Sequence, residues 1–258
     1  MSCLVVEESA RVVWLTLNRP EAANALSGHL IAELRAQMGR LAERSDVLAL
    51  VITGAGDKVF CAGADLKERR TLSPAGVRAH LDQQSALMNE VAAFPRPVLA
   101  ALNGAALGGG LELALACDLR LGVEGAELGL PEVRLGIIPA AGGTQRLARA
   151  CGLAVAKELI LTGRRVTATT AARLGLLNRV VKPDGLRAAV QEVLGEIAHA
   201  APLALGQAKC ALDGGWDQPL HAGLALERAC YERLLDTEDR QEGLRAFSEK
   251  RLPRYQGR

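Results

Sequence analysis

The chain has 258 residues, 49% of them hydrophobic and 23% charged, and carries a net charge of +2. This is an ordinary globular balance with enough apolar residues for a substantial core, and it leaves no electrostatic footprint for nucleic acid or a membrane surface. Aromatic residues make up only 3%, which argues against a base-stacking platform.

In chain order, Leu4 to Glu8 and Val12 to Leu17 read as two strands around a turn at Ser9-Ala10-Arg11, the second with alternating polarity. Ser27 is an N-cap candidate for a helix to about Arg44, with Leu30, Ile31, Leu34, Met38 and Leu41 at helical spacing. Leu48 to Thr53 reads as a buried strand. The Gly54-Ala55-Gly56 that follows lacks the third glycine and the helix of a dinucleotide-binding turn. Ser73-Pro74 starts a second helix, to about Ala93. A strand at Val98 to Leu102, a helix from about Gly109 to Cys117, and short strands near Leu119–Val123 and Glu127–Leu130 come next. Alternation of strand and helix without a long linker predicts α/β layers. Beyond about Gly142 the pattern is nearly all helical. Thr167 and Asp184 are candidate N-caps, Pro202 is a break, and Gly214-Gly215 separates two helices.

Two segments carry candidate chemistry. In Ala106 to Asp118, three glycines lead from a buried strand into an Ala/Leu-rich helix, with Glu112 one turn inside it. Glycines permit positive φ and close approach to their N–H groups, and a helix start adds unpaired donors. Such a turn suits a developing negative charge, such as a thioester oxygen becoming an enolate. By themselves the glycines fit a plain strand-to-helix turn better than a site. The second segment, Leu128 to Leu147, places Glu132 after a proline among apolar residues and ends in a Gly-Gly-Thr helix start. Two acidic side chains in apolar company suit acid/base work. Whether they meet in space is open at this level.

In order along the chain, Leu17-Asn18-Arg19-Pro20-Glu21-Ala22-Ala23-Asn24-Ala25-Leu26, Phe60-Cys61-Ala62-Gly63-Ala64-Asp65-Leu66-Lys67-Glu68, the two segments above and the tail Asp239 to Arg251 resemble the enoyl-CoA hydratase/isomerase (crotonase) family over nearly the whole length. The resemblance implies a spiral of ββα units over residues 1–200. It also implies a C-terminal helical region, 201–258, that builds a trimer or a dimer of trimers and helps close the site. It implies an acyl-CoA substrate held by the backbone N–H groups of Ala64 and Gly109. Glu112 would deprotonate water and Glu132 would protonate Cα. Ala62, Ala64, Asp65, Leu66 and Lys67 match the loop that runs along CoA, and Phe247 and Lys250 match residues near its adenine. For Lys67 the competing reading is a solvated lysine. For Phe247 and Lys250 it is tail packing and a surface charge. Ala140 stands where many members have glycine.

The pair of glutamates favours a 2-enoyl-CoA hydratase over an isomerase. The run Ala62 to Arg69 and the ending Lys250 to Gly257 resemble most the 3-methylglutaconyl-CoA hydratase branch. RNA binding, known in that branch, relies on a lysine-rich first helix. Here Arg35, Arg40 and Arg44 are offset by Glu33 and Glu43, so no nucleic-acid partner is expected. A non-enzymatic scaffold is disfavoured by the intact glutamate pair. Cys3, Cys61, Cys117, Cys151, Cys210 and Cys230 form no CxxC pair, and His29, His80, His199 and His221 lie outside every matched motif. No metal and no cofactor beyond the substrate's own CoA are therefore expected. Free thiols, no signal-peptide pattern and no long uncharged run point to a cytoplasmic protein without a membrane span.

Overall fold

A computed structural model describes residues 2–258. Its strands and helices follow in order as β1 (Leu4–Ser9), β2 (Val12–Leu17), α1 (Gly28–Ala42), β3 (Ala49–Gly54), β4 (Val59–Cys61), α2 (Leu66–Arg69), α3 (Pro74–Ala92), β5 (Val98–Leu102), β6 (Ala105–Leu107), α4 (Gly109–Ala116), β7 (Leu119–Val123), β8 (Glu127–Gly129), α5 (Gly143–Cys151), α6 (Leu153–Thr162), β9 (Val166–Thr167), α7 (Ala168–Arg173), β10 (Arg179–Val181), α8 (Leu186–Ala198), α9 (Pro202–Gly215), α10 (Leu220–Glu232) and α11 (Glu238–Ser248). By compactness the chain divides into two units. One runs to Phe94 and includes Val98–Val190; the other comprises Pro95–Pro97 and Gln191–Arg258.

The first unit is built from repeats. Each of β3-β4-α3, β5-β6-α4 and β7-β8-α5 sends its first strand to a six-stranded sheet, ordered β1-β2-β3-β5-β7-β10. The second strand goes to a four-stranded sheet, ordered β4-β6-β8-β9. β3, β5 and β7 are mutually parallel, as are β4, β6 and β8. This is the α/β spiral of ββα turns that the resemblance implied. Parallel strands covered on both faces read as continuous apolar runs, and Ala49–Ile52 and Val98–Leu102 are fully buried. The same coverage buries Val13, Trp14 and Leu15 in β2, so its expected alternation is absent.

Local signals placed the longer helices well. Ser27 caps α1, its hydroxyl accepting from Leu30 N at 3.2 Å, a contact worth about 1 kcal/mol. The five apolar residues anticipated on α1 are its buried face. Pro74 opens α3, and Thr167 caps α7 by accepting from Thr170 N at 3.3 Å. Other expectations need correction. The stretch after Gly142 is not all helical, because β9 and β10 add an edge to each sheet. Asp184 lies inside a 3-10 turn, Pro183–Gly185, whose N-cap is Lys182. Gly214 and Gly215 do mark the separation of two helices, as the last residues of α9 before the break that precedes α10.

The second unit is helical. A Cβ on Gly214 would lie 2.7 Å from Leu226, and one on Gly223 would lie 3.5 Å from the Gly215 carbonyl, so glycine lets α9 and α10 approach closely. Buried Asp239 pins the tail to α11, accepting from the N–H groups of Gln256 at 2.6 Å and Gly257 at 2.8 Å.

Candidate active site

The start of α4 is shaped by neighbours that tolerate no side chain. Gly108, its N-cap, has φ 53° and ψ −128°, and a Cβ there would lie 3.0 Å from Glu132 Oε1. From the other side comes Gly63, in the loop after β4. Its φ is +95°, and a Cβ would lie 2.8 Å from the Leu107 carbonyl and 3.0 Å from Gly109 N. The loop carrying Ala64 therefore rests directly on the turn carrying Gly109. Ala64 bridges Leu26 in parallel register. Leu26 N donates to Gly63 O at 2.8 Å, and Asp65 N donates to Leu26 O at 3.2 Å. That pairing leaves the Ala64 N–H outside the ladder. The Gly109 N–H, at the first position of α4, has no acceptor within its helix. Both residues line one pocket together with Glu112 and Glu132.

Glu112 is 2% exposed. Its Oε1 accepts from Ala141 N and Gly143 N, each at 2.8 Å, so the Gly-Gly-Thr turn that starts α5 wraps around this carboxylate. Burial raises its pKa; the N–H groups of Gly143 and Ala141 and the charge of Arg146 oppose the rise without cancelling it. Glu132 opens the 3-10 turn Glu132–Leu135 behind Pro131. Its Oε2 is buried without a hydrogen-bond partner. Burial lifts this carboxyl to about 7; its own backbone N–H and Arg69 pull it down, and the Glu112 charge adds to the rise. The two carboxyls thus share a pocket, close enough to sense each other's charge, in unequal settings.

The remaining walls include Leu66, Leu81, Leu135 and Ile138, with two further polar side chains, Arg69 and Gln84. Neither stood out in the sequence. Gln84 carried a readable signal: it falls on the buried stripe of α3 with Leu87, Met88 and Val91. A polar residue at helical spacing within an apolar face is a candidate for a site.

Among residues expected along CoA, Ala62, Ala64 and Leu66 line the pocket, whereas Asp65 and Lys67 are not part of its walls. Asp65 is held by the fold: it caps α2 through the N–H groups of Lys67 and Glu68 and pairs with Arg19 at 2.8 Å. Burial works against its charge, but Arg19 and those N–H groups outweigh it and keep its pKa low. Lys67 is exposed. Phe247 and Lys250 belong to the second unit. Phe247 is 86% exposed, so tail packing does not account for it.

None of the four histidines lines the pocket. Folding gathers Cys3, His29 and Glu33 so that their ligand atoms lie within 4.8 Å, a grouping invisible to spacing along the chain. Glu33 there accepts from Ser2 at 3.2 Å and meets His29 at 3.3 Å. Arg35 on α1 pairs with Glu90 at 2.5 Å, and Arg44, just beyond the end of α1, pairs with Glu8 at 2.7 Å and Asp46 at 2.6 Å.

The enoyl-CoA hydratase/isomerase family matches over residues 7–258. The chain belongs to that family. YngF of Bacillus subtilis (strain 168) is 48% identical over 258 residues, covering 99% of this chain and 98% of that protein. The human mitochondrial methylglutaconyl-CoA hydratase is 42% identical over 255 residues, covering 97% of this chain and 75% of the relative. The crystal structure of an enoyl-CoA hydratase from Bacillus anthracis superposes with a TM-score of 0.98 at 46% identity, covering 99% of this chain and 100% of the other. The sheet order described above is thus that of a crotonase-fold enoyl-CoA hydratase/isomerase with C-terminal helices. Among the described residues of this family member, no helix is long and apolar enough to cross a membrane.

Proposed function

We propose that the protein is a 2-enoyl-CoA hydratase. The observation that carries this reading is the pair Glu112 and Glu132, two carboxyls on one pocket with unlike environments. Backbone N–H groups of Ala64 and Gly109 would hold the thioester oxygen and stabilise the enolate that forms there. Glu112, anchored through Oε1, would use Oε2 to orient water and take its proton as the oxygen adds to C3. Electron density moves to the thioester oxygen. Glu132, whose pKa near 7 keeps a proton available at neutral pH, returns one to C2. One proton leaves Glu132 and one arrives on Glu112, so the pair is reset by a proton exchange between them or through product water. The chemistry calls on no metal and no cofactor besides the CoA of the substrate.

Self-association through the second unit completes the proposal. Leu212, Trp216 and Leu220 are 69–79% exposed, an apolar surface of the kind that marks an interface. A trimer or dimer of trimers would cover it, with Phe247 and Lys250 available to a neighbour's CoA. The six free thiols suit a reducing compartment such as the cytoplasm.

Mixing the protein with crotonyl-CoA tests the reading. Hydration removes the conjugated enoyl absorbance. An isomerase would instead create that absorbance from a 3-enoyl ester, without consuming the 2-enoyl one. Unchanged absorbance with every short 2-enoyl ester would overturn the proposal.

A further inference from the structure

Hydration leaves one side-chain cluster unused. Cys3, His29 and Glu33 belong to the first compact unit, and none of them lines the catalytic pocket. Cys3 directly precedes β1, whereas His29 and Glu33 stand one turn apart on α1. Residues at i and i+4 share one face of a helix, so the imidazole and the carboxylate are neighbours there. The backbone around Cys3 is held in place: Asn18 N donates to Cys3 O at 2.7 Å, and Ser2 Oγ donates to Leu4 O at 2.8 Å. α1 is held by its buried residues Leu30, Ile31 and Leu34. Two anchored elements thus bring a thiol, an imidazole and a carboxylate together, with their ligand atoms all within 4.8 Å of one another.

A surface ion pair accounts for only part of this arrangement. His29 Nε2 lies 3.3 Å from Glu33 Oε1, with the imidazole 67% exposed, and such a pair contributes little by itself. It does not account for the thiol. Cys3 is half-buried and free, and its sulfur makes no hydrogen bond among the described residues. Sulfur and imidazole nitrogen select zinc over magnesium or calcium, and a carboxylate completes a three-ligand set with the fourth position left to water. Tetrahedral zinc spaces such ligands about 3.3–3.6 Å apart, so the most distant pair needs to close by only about 1 Å. The carboxylate also has an outer partner. Ser2 Oγ lies 3.2 Å from Glu33 Oε1 and 3.3 Å from Oε2, and outer hydrogen bonds of this kind orient a ligating carboxylate.

We propose that Cys3, His29 and Glu33 form a zinc site that ties the start of β1 to α1. The thiol gives its proton to solvent as the sulfur–zinc bond forms, and no electron is transferred. The ion cross-links two elements and takes no part in hydration, so the site stands or falls independently of the hydratase reading.

The test titrates the untagged, metal-stripped full chain with zinc and, as a spectroscopic probe, with cobalt(II). One equivalent of zinc should bind with a Kd of about 1 μM or below. It should raise Tm by about 5 °C at a hundredfold excess over Kd. Cobalt should give a thiolate-to-metal charge-transfer band together with the intense visible bands of a tetrahedral ion. Cys3→Ser should abolish the charge-transfer band, and His29→Ala and Glu33→Gln should each weaken zinc at least about tenfold. Circular dichroism of the metal-free variants checks that they fold. In the wild type, zinc should slow alkylation of Cys3, read by peptide mass, so the site is also tested without any substitution. Cys210→Ser, which removes the exposed thiol of α9, should leave zinc binding unchanged. Equal alkylation of Cys3 with and without zinc, or a charge-transfer band that survives in Cys3→Ser, would overturn the site. No zinc binding at micromolar concentration would overturn it as well.

Discussion

Gly143 N donates to Glu112 Oε1 at 2.8 Å, and a Cβ on Gly143 would sit 2.8 Å from that same oxygen. The residue that holds the carboxylate must therefore be a glycine. The Cβ would also lie 2.8 Å from Pro139 Cβ, so it has no free side on which to settle. Gly143→Ala should displace Glu112 and cut kcat at least 10²-fold, within the range for a mispositioned catalytic group, with a near-native circular-dichroism spectrum. Near-normal turnover in this variant would remove the anchoring role of the α5 turn.

Replacing either carboxyl by its amide keeps volume and removes proton transfer. Glu112→Gln and Glu132→Gln should each lower kcat by about 10²–10⁴. Binding of a saturated CoA ester should largely persist, because the loop at Ala64 and the turn at Gly109 are untouched. Steady-state kinetics paired with calorimetry checks both halves. A variant with near-normal turnover would show that its carboxylate had been given the wrong role.

Hydration requires Glu112 ionised and Glu132 protonated. Glu112 is raised above the ordinary carboxylate value, so the acid limb of kcat/KM should lie above pH 4.5. Glu132 loses its proton near pH 7, which places the alkaline limb there. Arg69 opposes the rise at Glu132, so Arg69→Met should move the alkaline limb upward. A pH–rate profile with crotonyl-CoA that stays flat from pH 6 to 9 would contradict this assignment.

The same carboxyl has a cost in stability. Its folded-state pKa of about 7 exceeds the ordinary 4.5, so the native state binds a proton more tightly than the unfolded chain. Stability from this group is complete below pH 4.5 and is lost as pH rises through 7. Glu132→Gln has no charge to bury. Relative to wild type it should gain about 1–2 kcal/mol on going from pH 5 to pH 8, less than the full shift would give because solvent screens a partly exposed carboxyl, measured by denaturant midpoints. An unchanged difference between the two proteins at both pH values would refute the burial argument.

The exposed leucines of α10 should matter to assembly. Light scattering should give three or six times the protomer mass. Leu220→Asp with Leu224→Asp, at sites 79% and 53% exposed, should shift the mass to smaller species. A wild-type monomer at micromolar concentration would end the trimer proposal.

Periodicity and caps were enough for α1, α3 and the buried strands β3 and β5, because a long amphipathic stripe or a continuous apolar run is a property of neighbours in the chain. They were not enough for β4, β6, β9 and β10, of two or three residues each. Such strands hold too few residues to show a period, and they exist only because partner strands supply their hydrogen bonds. The sequence by itself determined the family, the two glutamates and the glycine-rich turns, since these lie in contiguous motifs. Tertiary structure alone decided that Glu112 and Glu132, twenty positions apart, face one pocket; that Gly143 closes on Glu112; and that Arg69 and Gln84 join them. Those relations depend on which turns of the spiral stack on one another. The unequal pKa values follow from the same stacking, because burial is set by the neighbours that folding brings, not by those that sequence supplies.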